Sequence, residues 1–103
     1  IGWEVWPAAM TSLVEDLYRR YDLPEMYVTE NGACYNMGIG ADGEVDDQPR
    51  LDYYADHLSV CADLVASGYP LRGYFAWSLM DNFEWKSGKW YRDLALEFPR
   101  GNQ

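Results

Sequence analysis

Residues 26–34 read MYVTENGAC, a short hydrophobic run that arrives at a carboxylate, Glu30, and then at Asn-Gly. Residues 71–80 read LRGYFAWSLM, a second apolar run, followed by DNFEW at 81–85. Between them, LDYYADHLSVCADLVASG (51–68) carries apolar residues at helical spacing. Two strands joined through a helix are most simply parallel, with a right-handed crossover. The near-continuous runs MYV and YFAW fit strands buried on both faces, so the fold class is α/β. In such folds sites gather at the C-terminal ends of the strands. Glu30 stands at the end of the first strand, expected over Met26 to Thr29. Trp77, Glu84 and Trp85 follow the end of the second, so all four are expected on one rim.

Upstream, WPAAMTSLVEDLYRRYDLP (6–24) places Pro7 where a first helical turn tolerates it. Met10, Leu13, Val14, Leu17, Tyr18 and Tyr21 form its apolar stripe, and Asp22 and Pro24 end it. In the second helix the expected buried stripe is Leu51, Tyr54, Leu58, Cys61, Ala62 and Val65. His57 lies one position off it, as a boundary residue, and Gly68 falls where a C-terminal cap belongs. Residues 31–50, rich in Gly, Asn and Asp, read as one long loop. Its acidic run ADGEVDD invites a calcium reading, but it lacks the glycine placement and distal Glu of an EF-hand, so a solvated loop is expected.

The totals bound the rest. A chain of 103 residues holds one small domain at most. A net charge of −9 argues against nucleic acid and against anionic membrane surfaces as partners. No run is long and apolar enough to span a bilayer, and no secretory signal opens the chain, so a cytoplasmic location is expected. Cys34 and Cys61 form neither a disulfide framework nor a zinc spacing, and no metal or cofactor is expected. The chain begins on Ile1 and stops on PRGNQ, and both ends read as cut. Five Trp and nine Tyr are more large rings than a core this small hides, so some are expected to line a groove or to pack on something larger.

Indole rings offer flat apolar faces suited to the C–H faces of a pyranose. A carboxylate accepts hydrogen bonds from vicinal hydroxyls. An acid and indoles at one strand rim therefore point to sugar binding, with glycoside cleavage as its extension. Each residue also has an ordinary structural reading: Glu30 as a loop acid, Trp77 as a core aromatic, Glu84 as a solvated acid at a helix start.

YVTENGA (27–33) and GYFAWSLMDNFEW (73–85) closely resemble family 1 glycoside hydrolases, the β-glucosidase family. The resemblance runs over about residues 2–88, beginning with GWEVWP, and takes in DGEVDDQPRLDYYADHL and ADLVASGYPLRGY. It implies a (β/α)8 TIM barrel of which this chain is the C-terminal portion, about the last two βα units. The barrel is thus incomplete in the chain, which forms a single partial domain over 1–103. Glu30 matches the nucleophile of a retaining mechanism, and Trp77 matches the platform beneath the sugar. Glu84 and Trp85 match the pair that binds the remote glycone hydroxyls. Relatives that cleave 6-phosphorylated sugars typically carry Ser at the position of Glu84. The implied substrate is therefore an unphosphorylated β-linked glucoside, a related oligosaccharide or an aryl glycoside. Asn31 reads as shaping the turn and orienting Glu30.

Two departures qualify the match. The family's acid/base lies in an Asn-Glu-Pro motif, and no such triplet occurs here. After Gly88 the chain reads KWYRDLALEFPRGNQ, in which Arg92 keeps the family's Arg but Asp93 and Leu94 replace the expected aromatic and Gly; residues 89–103 thus read as a tail that has either diverged or been read from a disrupted gene. The chain is expected to need the missing N-terminal strands and to be inactive alone. The alternative is a non-catalytic carbohydrate-binding or structural remnant of such an enzyme.

Overall fold

The computed structural model describes residues 4–35, 38–78, 80, 82–84 and 89–91. Helix α1 (Ala8–Arg20) starts at Pro7, which holds helical angles (φ −56°, ψ −37°) at the N-cap. Tyr21 turns extended (φ −132°, ψ 146°) and stops it. Arg19 and Arg20 fall in the last turn, where cations complement the helix dipole. Of the expected stripe, Val14 is buried and Met10, Leu17 and Tyr18 are half-buried. Leu13 and Tyr21 are instead exposed, because α1 packs chiefly against one other helix.

Strand β1 (Met26–Asn31) is two residues longer than expected, so Glu30 and Asn31 lie within the strand. It pairs in parallel with β2 (Leu71–Ala76) in the register Met26↔Leu71, Tyr27↔Gly73, Val28↔Tyr74 and Asn31↔Ala76. Helix α2 (Gln48–Ala66) makes the crossover and begins three residues before the expected Leu51, with Pro49 in its first turn. Gly68, at φ +93°, takes the left-handed position after it, where a side chain would be strained.

The face that α2 buries differs from the expected one. Arg50, His57, Cys61 and Leu64 are buried, while Leu51, Leu58 and Val65 are exposed. Two polar side chains cause this. Arg50 is drawn inward by loop carbonyls, and the His57 ring stacks on Tyr53 at 4.0 Å with Nδ1 2.7 Å from the Tyr53 carbonyl. The periodicity of apolar residues could not register either contact.

Strands buried on both faces were also expected, and one face is open. Tyr27 and Phe75 are about half exposed on the side shared with Gly73, whose missing side chain makes room for the Tyr27 ring. Among the described residues the buried apolar side chains are Val14, Cys61, Leu64 and Leu71. Where the helices meet, the Cys61 thiol reaches Met10 Sδ at 3.4 Å, and Tyr18 of α1 meets Tyr69 edge-on at 5.5 Å.

In the loop, Ile39 bridges Val45 around a tight turn with Gly43 at φ +86°. The acids are spent on local geometry: Asp42 accepts from the Glu44 amide, and Asp46 from the Gln48 amide at the start of α2. Beyond β2, strand β3 (Asn82–Glu84) pairs antiparallel with β4 (Lys89–Tyr91), a hairpin not anticipated from sequence. Glu84 therefore lies in a strand, opposite Lys89, and not at a helix start. The segment after Gly88 begins as β4. Arg92, Asp93 and Leu94 lie outside the described residues.

Candidate active site

Parallel pairing decides what meets at the rim. Asn31 sits opposite Ala76, so Glu30 precedes that pair by one residue and Trp77 follows it by one. The ladder continues past the named strands: the Trp77 amide donates to the Asn31 carbonyl at 2.8 Å. Glu30 is exposed, and Trp77 is 48% exposed. An acid and an indole are thus held at the C-terminal end of the sheet. Glu84 follows in the hairpin, and Trp85 lies outside the described residues.

The layer beneath was not singled out from sequence. The Asn31 side chain accepts a hydrogen bond from the Tyr74 hydroxyl at 2.5 Å and also hydrogen-bonds Tyr53. Asn31 therefore does not shape a turn. It is a strand residue whose backbone holds Trp77 and whose amide is gripped from β2 and α2, next to Glu30.

Burial pushes the Tyr74 hydroxyl far above its ordinary range, and the neighbouring Tyr54 and Tyr53 add to the effect. Burial likewise raises Tyr53, against the lowering by its bond to Asn31. Both phenols hold their protons more tightly than a free tyrosine does.

Gly32 has a specific reason to be glycine. A Cβ built on it would lie 1.7 Å from the Trp77 carbonyl oxygen and 3.1 Å from the Tyr54 hydroxyl. The Tyr54 hydroxyl donates to that same carbonyl at 2.9 Å. The Trp77–Ser78 peptide bond is cis. Downstream, Arg50 secures the departing loop. Its side chain is 1% exposed, pairs with Asp47 at 2.7 Å, and donates to the carbonyls of Tyr35 at 2.9 Å and Ala33 at 3.4 Å.

Among the described residues no group of three or more His, Cys, Asp or Glu gathers as a metal site would require. No described helix is long and apolar enough to cross a membrane. The sequence signals available for this layer were the tyrosines of DYYADH and GYFAW. Spacing made Tyr54 part of a core stripe and left Tyr53 and Tyr74 unremarked.

The rim thus brings an acid and an indole to one strand end. The family model described as glycosyl hydrolase family 1 matches residues 1–94, and the chain belongs to that family. A β-glucosidase of Agrobacterium sp. is 58% identical over 99% of this chain, which covers 27% of that enzyme. β-Glucosidase A of Thermotoga maritima is 42% identical over 85% of the chain, which covers 20% of that enzyme. The structure of the virulence factor SghA from Agrobacterium tumefaciens superposes with a TM-score of 0.82 at 70% identity, over 89% of this chain and 20% of that one. SghA has also been solved with its substrate analogue salicin. The chain therefore spans about a quarter of the length of these relatives or less.

Proposed function

We propose that the protein to which these residues belong hydrolyses β-D-glucosides by a retaining double displacement, with Glu30 as nucleophile. The observation that carries this reading is the register Asn31↔Ala76, which supports an acid and an indole one residue to either side of a shared strand end. In the first step the Glu30 carboxylate attacks the anomeric carbon. The glycosidic bond breaks, and a second carboxyl protonates the departing oxygen. In the second step that carboxyl takes a proton from water, which attacks the anomeric carbon and frees Glu30. The two carboxyls of such a pair stand about 5 to 5.5 Å apart. Trp77 supplies the apolar face against which the sugar ring rests, and Glu84 and Trp85 bind remote hydroxyls. Salicin, an aryl β-glucoside, names the substrate class to assay first.

This chain holds only the nucleophile's half of the machine, since its sequence has no Asn-Glu-Pro. That absence favours a second reading for the 103-residue chain by itself, as a non-catalytic remnant that binds sugar or only folds. Two proteins separate the readings: the chain alone, and the Agrobacterium β-glucosidase with its matching segment replaced by residues 1–85 of this chain. The chain alone is expected not to turn over an aryl β-glucoside. The segment-swapped enzyme is expected to turn it over, and a 2-fluoro glucoside is expected to label Glu30. Glu30→Gln should lower turnover at least about a thousandfold. A swapped enzyme that folds yet is inactive, or whose label sits elsewhere, would overturn the proposal.

A further inference from the structure

We infer that Tyr54 is a positioning residue that sets the place of the Trp77 indole by holding its carbonyl over the bare backbone of Gly32. The inference rests on the proposed function, because it gives Trp77 a sugar to meet.

Three observations converge on one peptide group. The Trp77 amide donates to the Asn31 carbonyl at 2.8 Å, which ties the start of the residue to the strand of Glu30. The Trp77 carbonyl accepts from the Tyr54 hydroxyl at 2.9 Å, which ties its end to α2. Its oxygen lies only 1.7 Å from where a Cβ on Gly32 would be, so the position is open only because residue 32 has no side chain. Trp77 leaves the sheet directly after β2, and its half-exposed side chain depends on its backbone for a fixed place. With both backbone polar groups bound, that backbone has one defined setting beside the strand end. The phenol is suited to the task because its rigid ring carries a hydroxyl donor out from the helix with few rotatable bonds.

A platform displaced by even about 1 Å can cost as much as a hundredfold in rate, since the reacting carbon is then offered to the carboxylate at the wrong height. Tyr54 never touches the sugar in this scheme. It acts through Trp77, and a double-mutant cycle exposes that dependence.

The experiment uses the segment-swapped enzyme and kcat/KM for an aryl β-glucoside. Tyr54→Phe removes the donor and keeps the ring; Gly32→Ala pushes the same carbonyl from the other side. Each is expected to lower kcat/KM about ten- to a hundredfold. In a Trp77→Ala background, where no platform remains to misplace, each is expected to cost less than about twofold. Full-sized losses in both backgrounds would overturn the inference and make Tyr54 merely structural. So would a Tyr54→Phe enzyme with unchanged kcat/KM. If one variant fails to fold, the other decides, and failure of both to fold also assigns the contact a purely structural part. An inactive parent swap instead sinks the proposed function first, a result told apart by the unsubstituted enzyme alone.

Discussion

Asn31, the residue after Glu30, is the most heavily bonded position at the strand end. Asn31 presents a carbonyl to Trp77 and a side-chain amide to Tyr74 and Tyr53, so the residue after the acid is bound on three sides. This clamp carries a pH dependence. Burial raises the hydroxyls of Tyr74 and Tyr53 above the ordinary 10.0, so the folded chain holds those protons more tightly than the unfolded one. The associated stability is fully present below about pH 10 and is lost as pH rises through the folded-state values. Denaturant midpoints of the segment-swapped enzyme, measured from neutral into alkaline pH, are expected to fall, and Tyr74→Phe is expected to flatten that fall. At neutral pH the same variant should cost about 1 kcal/mol for the lost hydrogen bond. An alkaline slope identical in the two proteins would contradict the assignment.

Helix α2 is where the reading by periodicity slipped, and the reason lies at its first turn. Arg50 offers five donors in a rigid fork, and the carbonyls of Ala33 and Tyr35 together with Asp47 occupy that fork. Anchoring Arg50 inward turns His57, Cys61 and Leu64 inward with it, since they follow at helical spacing. Removing the guanidinium leaves part-buried acceptors without that donor. Arg50→Met, which keeps the stem, is expected to cost about 2 to 3 kcal/mol, and Arg50→Lys to restore only part of it. Urea midpoints of the segment-swapped enzyme with Arg, Met or Lys at position 50 check this. Equal midpoints for Met and Arg would show that the loop is held by other means. Because the loop leaves directly from β1, hydrogen exchange at 33–35 should rise in Arg50→Met as well.

At the scale of the molecule, burial is sparse for the length. Among the described residues four apolar side chains are buried, while Leu51, Leu58 and Val65 line an exposed face of α2. Tyr27 and Phe75 open one face of the sheet, and among the described residues β1 and β2 form a two-strand sheet whose outer edges are unpaired. A small domain has only a few kcal/mol of stability, and surfaces of this kind favour association. The 103-residue chain by itself is therefore expected to self-associate at micromolar concentration and to bind apolar dyes. In the segment-swapped enzyme the same faces are expected to be covered. Sedimentation velocity distinguishes the cases, and a monomer with sharp cooperative unfolding would count against the expectation.

MYVTENGAC and LRGYFAWSLM carried enough local information to place two strands, a crossover helix and the rim they share, because strand patterning and turn chemistry are local properties of the chain. They also carried the family motif, and with it the candidate roles of Glu30 and Trp77. The hairpin of β3 and β4 stayed illegible, since strands of three residues are too short for alternation to register. The support of the rim was equally hidden. The bonds from Tyr74 to Asn31 and from Tyr54 to Trp77 join residues 43 and 23 positions apart in the chain. Only folding brings those partners together, and only their approach explains why residue 32 must be glycine.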